Sequence, residues 1–352
     1  MAVNNLKRNI FIRADGNKEI GYGHIKRAVI ISEFLLKTRN INTILLSNSD
    51  TQNVVFADYS SIELINIDPE CSIKDETEFV CKMAQKYQPL FIILDVLEND
   101  VNHLYMANLR KINVPIAVIT DDSYKREIDS DLVLNGNPNQ LYTDYGDLRH
   151  KYLLGPKYFI MSSKYENIVA TYPNKNKFKK VILTLGGSDH HNLTFKTIQA
   201  LSNIDEIDEI LIISSHATGY SLRLKSLLKN KKIKMVLDVP TLAPYFQKAD
   251  IAVTAGGNTL FERIATHVPG VTICQLQRQM EIADSFERMD VNYNIGFGPD
   301  LTVEEIQTKT KSFILDYNKQ LKQYEQSHNV IDGKGLKRFC QKLDQLIKTS
   351  TI

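Results

Sequence analysis

The residues Asn9-Ile-Phe-Ile-Arg13 precede a loop that contains Gly21 and Gly23, and the loop leads into apolar residues at helical spacing between His24 and Leu36. The first run is rich in residues that favour strands, and the repeat has the period of one helix face. A strand, a glycine-containing loop and a helix in this order form the first part of a βαβ unit. This stretch therefore predicts a parallel sheet that is covered by helices.

Strand-like and helix-like runs alternate to residue 134, and the pattern restarts at residue 180 after a polar stretch. Two such series predict an α/β fold with two doubly wound Rossmann-like domains that face a cleft. We place the domains at residues 1–165 and 175–310, followed by a helical segment at 311–352. Ligands of such sheets lie at the carboxyl ends of the strands, so the loops that follow the strands are the candidate sites. The further predicted strands are Asn42–Ser47, Leu90–Leu94, Ile116–Ile119, Leu132–Leu134, Lys180–Leu185, Glu209–Ser214, Met235–Leu237, Ile251–Thr254 and Val271–Ile273, and the further predicted helices are Phe79–Tyr87, Val101–Ile112 and Leu193–Ile204.

The composition argues against several classes of protein. The 43 Lys and Arg residues against 41 Asp and Glu give a formal net charge of only +2, whereas nucleic-acid binders usually carry a marked basic excess. No run approaches the roughly 18 apolar residues of a membrane span, and the four cysteines show no CxxC pairing. We therefore expect a cytoplasmic protein without a membrane span or a nucleic-acid partner. The sequence does not indicate an oligomeric state.

The first candidate loop ends at His24, directly after Gly21 and Gly23. Glycine permits tight turns and lets a ligand approach exposed backbone amides. In the first turn of a helix the positive helix end disfavours an imidazolium, so we expect a neutral ring that can act as a general base. The alternative is a histidine that only caps the helix or fills the core.

The second candidate loop carries Gly186 and Gly187 after a predicted strand. Its backbone amides and the hydroxyl of Ser188 can bind a phosphate or a sugar. Asp189 either caps the following helix or contacts the ligand.

Two histidines of this loop are adjacent in the sequence, at His190 and His191. Adjacent helical residues point in different directions, and no third ligand follows at metal spacing. We predict neither a metal site nor a cofactor.

The third candidate loop carries Gly256 and Gly257 after the strand at Ile251–Thr254. Asn258 and Thr259 can cap a helix there, and the amides at the start of such a helix can bind a diphosphate. Glu262 follows within reach of ribose hydroxyls. A plain glycine-rich turn with a solvated glutamate is the alternative.

Acidic residues follow two strands of the first half. Asp95 ends one predicted strand, and Asp121 with Asp122 follows another. Carboxylates at these positions can position a water molecule or bind sugar hydroxyls, or the pair can simply begin the next turn.

These motifs together resemble those of a known family. Ile20-Gly-Tyr-Gly-His-Ile-Lys-Arg27, preceded by Arg13-Ala-Asp15, is similar to the N-terminal signature of the hydrolases that release UDP from UDP-2,4-diacetamido-2,4,6-trideoxy-β-L-altropyranose in pseudaminic acid biosynthesis. The resemblance covers roughly residues 9–300. Further matching stretches are Asp121-Asp122, Asp131-Leu-Val-Leu-Asn135, Leu154-Gly-Pro-Lys-Tyr158, Gly186-Gly-Ser-Asp189 and Gly256–Glu262 with Gln279.

The resemblance implies a glycosyltransferase-B architecture and metal-independent attack of water on the anomeric carbon of a UDP-sugar. His24 would be the general base, and we predict Asp15 and Asp95 as further catalytic residues. The predicted substrate-binding and nucleotide-binding residues are Arg13, Gly21, Tyr22, Gly23, Arg27, Gly186, Gly187, Ser188, Asp189, Gly256, Gly257, Asn258, Thr259, Glu262 and Gln279.

The sequence departs from the family pattern at two places. Val96-Leu97 stands where the hydrolases usually carry His-Tyr, and Arg278 replaces an asparagine. The identity of the sugar therefore stays open. Two alternatives to hydrolysis also stay open, a glycosyltransferase that uses a UDP-sugar donor and a catalytically silent protein that binds a nucleotide-sugar.

Overall fold

The structure is a computed structural model that describes residues 8–17, 22–48, 62–96, 103–122, 124–169, 173, 175, 179–186, 189, 191–215, 230 and 232–350. The described residues of Met1–Met161 and Gly335–Ile352 form one compact unit, and those of Ser162–Lys334 form a second. The strands are β1 Asn9–Ala14, β2 Asn42–Ser47, β3 Ile62–Asn66, β4 Ile92–Asp95, β5 Ile116–Thr120, β6 Leu132–Asn135, β7 Tyr152–Leu154, β8 Lys179–Thr184, β9 Ile207–Ser214, β10 Ile233–Leu237, β11 Ile251–Thr254, β12 Gly270–Cys274 and β13 Tyr293–Phe297. The α-helices are α1 Gly23–Arg39, α2 Ile73–Tyr87, α3 His103–Leu109, α4 Leu193–Ser202, α5 Ala243–Phe246, α6 Asn258–Ala265, α7 Gln277–Arg288, α8 Val303–Leu315, α9 Tyr317–Val330 and α10 Gly335–Ser350.

The first unit contains a parallel sheet in the order β3-β2-β1-β4-β5-β6-β7. Residues on both faces of β1 are buried, with Ile10 and Ile12 in one hydrophobic cluster and Phe11 in another. A strand covered on both faces needs a continuous apolar run, which explains the sequence of β1. The strand order reverses between β1 and β4.

The second unit contains a parallel sheet in the order β10-β9-β8-β11-β12-β13. Its order reverses between β8 and β11, at the equivalent place. Both sheets have the doubly wound strand order of Rossmann-like folds, in which ligands lie at the reversal point. The predicted α/β class with two doubly wound sheets is confirmed.

Three strands were not predicted from the sequence, and all three are at sheet edges. These strands, β3, β7 and β13, have one neighbouring strand each. Only the first residue of β3 is buried, and β7 has only three residues. Short or half-exposed edge strands lack the apolar run that identifies a central strand.

The helical C-terminal segment expected at 311–352 is divided between the two units. Its last helix, α10, belongs to the first unit, where Leu336, Phe339 and Leu343 are buried in the hydrophobic cluster that contains Ile10. The preceding helix, α9, belongs to the second unit. The apolar spacing along α10 matches one helix face, and burial of this face fixes the helix on the first unit. Within the described residues, no helix is both long enough and apolar enough to cross a membrane.

Candidate functional site

The reversal point of the first sheet brings the ends of β1 and β4 side by side. Ala14 pairs with Asp95, which is the last residue of β4. Helix α1 begins at Gly23, so His24 lies in its first turn as expected. Among the described residues, no atom beyond its chain neighbours and the backbone of its own helix lies within 4 Å of a Cβ atom placed on Gly23. Tyr22 precedes the helix, and Gly21 lies outside the described residues.

His24 contacts the buried carboxylate of Asp95. The Nδ1 atom of His24 lies 2.7 Å from Oδ1 of Asp95, whose side chain is 0% exposed, and the His24 side chain is 17% exposed. A carboxylate accepts hydrogen bonds, so the proton of a neutral His24 ring belongs on Nδ1. The lone pair is then on Nε2, where it can accept a proton.

Arg27 lies one helical turn after His24 and binds two carboxylates. Its Nε and Nη2 atoms each donate to Asp95 at 2.7 Å, and its Nη1 and Nη2 atoms donate to Asp121 at 2.9 Å. The Nη2 atom of Arg27 lies 3.2 Å from the Nδ1 atom of His24, because both atoms contact the same oxygen, Oδ1 of Asp95. Arg27 was predicted to bind the ligand, and the structure places it between these two acids. Its charge offsets the cost of a buried carboxylate at Asp95.

The pKa of His24 is raised above its ordinary value of about 6.5. Burial alone lowers this pKa, but the hydrogen bond to Asp95 and the charge of Asp95 together outweigh burial and the repulsion from Arg27. The expectation that the helix end keeps the ring neutral is therefore wrong in its direction. A buried carboxylate at 2.7 Å stabilises an imidazolium, which opposes the effect expected of the helix end.

Arg13 and Asp15 belong to a different, buried network. Arg13 is 1% exposed, its Nη1 contacts Asp15, and its Nε donates to Glu76 at 2.8 Å. The hydroxyl of Tyr105 also donates to Glu76, at 2.9 Å, and Asp15 accepts the backbone N–H of Asn48 at 2.9 Å. Arg13 was predicted to bind the ligand and Asp15 to be catalytic. Their contacts hold β1 against α2 and the end of β2, which is a structural role.

The two acidic residues after β5 make different contacts, and each residue matches one of the two possibilities that the sequence left open. Asp121 binds Arg27 and so joins the His24 cluster. Asp122 accepts the hydroxyl of Thr120 at 2.6 Å, and its backbone carbonyl accepts the side-chain amides of Asn135 and Gln140. Asp122 therefore stabilises the turn.

In the second unit, the loop after β8 contains Gly186 at φ +91°, a conformation that favours glycine. Asp189 accepts the backbone N–H groups of Leu193 and Thr194 at 2.7 and 2.8 Å. Asp189 thus caps α4, the structural one of its two predicted roles. Gly187, Ser188 and His190 lie outside the described residues.

The loop after β11 leads into α6 at Gly257. The N-cap residue is Gly257, which has no side chain to bind the first amides, and among the described residues no hydrogen bond from Asn258 or Thr259 to these amides occurs, so the expectation that these two residues cap the helix is wrong. The hydroxyl of Thr259 points back to the carbonyl of Ala255, at 3.4 Å, and the Asn258 side chain is exposed. Uncapped amides at a helix start attract anions.

Gln279 lies beside both glycines of this loop. A Cβ atom at Gly256 would come within 2.8 Å of the Gln279 Cβ, and one at Gly257 would lie 3.5 Å from its Nε2 atom. The Oε1 atom of Gln279 accepts the backbone N–H of Gln275 at 2.8 Å, which leaves Nε2 towards Gly257. The structure therefore brings these three predicted residues together.

Sequence reasoning did not single out Gln275 or Tyr165. The side-chain amide of Gln275 donates to the carbonyl of Leu185, which ties the loop after β12 to the loop after β8. The hydroxyl of Tyr165 accepts the backbone N–H of Leu242 at 3.2 Å. A buried polar side chain outside any motif gives no signal in the sequence.

Among the described residues, no group of three or more His, Cys, Asp and Glu side chains is arranged to hold a metal ion. The absence of a metal requirement stays a prediction.

Comparison with known proteins shows the fold. No protein-family model matches the chain. It is 24% identical over 349 residues to the spore coat polysaccharide biosynthesis protein SpsG of Bacillus subtilis, over 96% of this chain and 98% of that protein. The crystal structure of MurG from Acinetobacter baumannii superposes with a TM-score of 0.72 at 11% identity, over 96% of this chain and 99% of that one. The fold is glycosyltransferase-B. UGT2 of Phytolacca americana, solved with UDP-2-fluoroglucose and pterostilbene, superposes with a TM-score of 0.65 at 11% identity, over 96% and 99% of the two chains.

Proposed function

We propose that this protein is an enzyme of polysaccharide biosynthesis that acts on a UDP-sugar, and that it hydrolyses a UDP-activated amino-deoxy sugar at the anomeric carbon. The contact between His24 and the buried Asp95 carries the proposal. A histidine held by a carboxylate is a base whose tautomer is fixed, and a protein that only binds its ligand has no need of one. The relative SpsG, named for spore coat polysaccharide biosynthesis, supports the pathway class.

The proposed reaction begins with proton transfer at Nε2 of His24. This atom takes a proton from a water molecule as the water oxygen attacks C1 of the sugar, and the C1–O bond to the diphosphate breaks. Asp95 stabilises the imidazolium that forms, because it already accepts the Nδ1 proton. A single displacement inverts the configuration at C1, and the free sugar and UDP leave.

The nucleotide is assigned to the second unit. The uncapped start of α6, after Gly256 and Gly257, presents backbone amides to the diphosphate, and these amides stabilise the charge on the leaving group. Gln279 lies next to Gly257 and is assigned to the sugar or its phosphate. Glu262, further along α6, is assigned to the ribose hydroxyls. The complex of UGT2 with UDP-2-fluoroglucose is a precedent on this fold for a UDP-linked ligand.

Transfer to an acceptor is the second candidate, and the structural relatives favour it. MurG and UGT2 share the fold, and UGT2 was solved with both a UDP-sugar analogue and pterostilbene. In a transferase, His24 would deprotonate an acceptor hydroxyl in the same way as it deprotonates water. The sequence resemblance to the hydrolases at Ile20–Arg27 favours water.

One assay separates these candidates. Pure protein is incubated with a panel of UDP-sugars in the presence of a chelator, without acceptor, and the release of UDP is followed. Hydrolysis predicts UDP release from an amino-deoxy member of the panel. Release only after an acceptor is added identifies a transferase. UDP affinity without any release under either condition identifies a binding protein, and a strict need for divalent ion contradicts the proposed stabilisation of the leaving group.

A further inference from the structure

Gln275 is a buried glutamine of the second unit that lies outside every predicted motif. It directly follows β12, and only 5% of the residue is exposed. Its backbone N–H donates to Oε1 of Gln279 at 2.8 Å, and its side-chain Nε2 donates to the backbone carbonyl of Leu185. Leu185 directly follows β8, so one residue connects the loop after β12 with the loop after β8. Buried hydrogen bonds of this kind hold the two loops in one arrangement.

The two glycine-containing loops of this unit leave the sheet side by side. Thr184, the last residue of β8, pairs with Thr254, the last residue of β11. Gly186 and Gly256 each follow two positions after this pair. The loop that Gln275 holds therefore begins next to the loop that leads into α6, to which the diphosphate is assigned.

The bond from Gln275 also fixes the direction of one peptide group. A trans peptide unit is planar, and its C=O and N–H bonds point in opposite directions. Since the carbonyl of Leu185 points to Gln275, the N–H of Gly186 points away from it. Within the part of the chain that the structure describes, this N–H has no hydrogen-bond partner, and only the chain neighbours of Gly186 lie within 4 Å of a Cβ atom placed on it. The Gly186 amide is therefore a donor whose direction Gln275 sets.

We propose that Gln275 is a positioning residue of the nucleotide site, which holds the carbonyl of Leu185 and thereby directs the amide of Gly186 to the diphosphate. The proposal rests on the proposed function, because that function assigns the diphosphate to the neighbouring start of α6. Backbone amides that converge from two loops suit an anion with several oxygens. Gln275 itself does not touch the nucleotide. It acts through the peptide group between Leu185 and Gly186.

The first test observes the Gly186 amide in the unaltered protein by nuclear magnetic resonance. Leu154–Gly155 and Leu185–Gly186 are the two Leu–Gly pairs of the sequence, so carbonyl-¹³C leucine with ¹⁵N glycine couples only at these two peptide bonds. The signal that Leu154→Ile removes belongs to Gly155, whose N–H donates to Asn135 in the first unit and serves as the control. We expect UDP to shift the Gly186 signal more than uridine does, because uridine lacks the diphosphate. A Gly186 signal that responds equally to both ligands, or to neither, contradicts the inference.

The second test replaces Gln275. Gln275→Met keeps most of the side-chain shape but removes the donor to Leu185. The measured quantity is the dissociation constant of uridine divided by that of UDP, from calorimetry for UDP and from displacement of bound UDP for uridine. We expect this ratio to fall about tenfold, the worth of a hydrogen bond to a charged group. Gln320→Met is the matched control and should keep the parent ratio, since Gln320 is also a buried glutamine of this unit whose Nε2 donates to backbone carbonyls.

The outcomes separate this inference from the proposed function. An absence of UDP binding by the parent, or a parent-like UDP affinity in Gly257→Val, overturns the assignment of the diphosphate in the proposed function. Weaker UDP binding in Gly257→Val together with a parent ratio in Gln275→Met overturns the inference alone, and so does an equal fall of the ratio in Gln320→Met. A general loss of packing weakens uridine and UDP alike and does not move the ratio. If Gln275→Met does not fold, the response of the Gly186 signal in the unaltered protein decides.

Discussion

The Nδ1 atom of His24 lies 2.7 Å from Oδ1 of Asp95, and the two residues are 71 positions apart in the chain. Asp95 is buried at the end of a central strand, and His24 lies in the first turn of the helix that follows the neighbouring strand. The doubly wound order brings these two positions together. Because Arg27 also binds Asp95, the carboxylate is fixed by two partners and in turn fixes the imidazole.

Replacement of His24 tests the role of the base. We expect His24→Asn to lower turnover by roughly two to four orders of magnitude, the usual worth of a positioned general base. UDP affinity should persist, because the nucleotide is assigned to the second unit. His150→Asn is the matched control, since His150 is an exposed histidine of the first unit whose ring contacts a backbone carbonyl. Full turnover in His24→Asn would return His24 to a purely structural role.

The pH profile tests the contact with Asp95. The base must be neutral, so kcat/KM should fall as the pH decreases through the pKa of His24, which is raised above its ordinary value of about 6.5. In Asp95→Asn the raising effect is lost, while burial and Arg27 still lower this pKa. The acidic limb of the profile should therefore move to lower pH, and the plateau should fall by about a hundredfold because the imidazolium is no longer stabilised.

A suitable control for that profile is Asp129→Asn. Asp129 is an exposed acid of the first unit that pairs with Arg110, and its loss should leave the limb in place. An acidic limb that stays at the parent pH in Asp95→Asn would show that Asp95 does not set the pKa of the catalytic group.

Replacement of Gly257 tests the proposed nucleotide-binding site at the start of α6. A Cβ atom there makes only an ordinary contact with Gln279, and the backbone φ of −100° is outside the left-handed region that favours glycine, so we expect Gly257→Val to fold. Its side chain would cover the amides at the start of α6, and we expect UDP to bind at least about tenfold more weakly, or about 1.4 kcal/mol. Calorimetry measures the affinity, and the thermal midpoint checks the fold. Parent-like UDP affinity in a folded variant would place the site elsewhere.

Gly256 is not a clean site for the same test. A Cβ atom there would come within 2.8 Å of Gln279, so any substitution disturbs the protein as well as the ligand. The choice between these adjacent glycines comes from the structure, because the sequence presents them as equivalent.

Arg263 lies next to Glu262 on α6 and is fully buried without a carboxylate partner among the contacts that the structure describes. Its guanidinium donates to the carbonyls of Val268 and Val291 and to the side chain of Asn292, at 2.9 to 3.1 Å. Burial lowers its pKa to about 9. Arg263→Met keeps much of the volume but leaves these acceptors unpaired, so we expect a loss of about 3 kcal/mol in the free energy of unfolding, measured in urea.

The matched comparison is Arg39→Met. Arg39 forms an ion pair with Asp344 at the surface of the first unit, and its loss should cost about 1 kcal/mol or less. Equal losses in the two variants would contradict the structural role of the buried arginine.

The sequence alone predicts those parts of the candidate site that depend only on the order of strands, loops and helices. Strand ends followed by glycines pointed to His24 and to the Gly256–Gly257 loop, and the end of a predicted strand pointed to Asp95, because parallel strands place such positions at one edge of the sheet. It did not reveal which side chains meet across elements. Arg13 and Glu76 are 63 residues apart, and only the packing of α2 on the sheet shows that they satisfy each other.

The sequence also did not show which side chains cap the helices. Asp189 and Asn258 both follow glycines at the start of a helix, yet only Asp189 caps its helix. Asn258 is the first residue of α6, one position past the N-cap residue Gly257, whereas Asp189 lies four positions before the first residue of α4. Sequence-based helix boundaries do not reach this precision.

The fate of the water oxygen tests the central claim most directly. The reaction is run in ¹⁸O-labelled water, and the products are analysed by mass spectrometry. If water activated by His24 attacks C1, the bond between the sugar carbon and oxygen breaks, and the label appears on the free sugar while UDP stays unlabelled. Label on the phosphate of the released nucleotide would mean attack at phosphorus and would contradict the proposed mechanism.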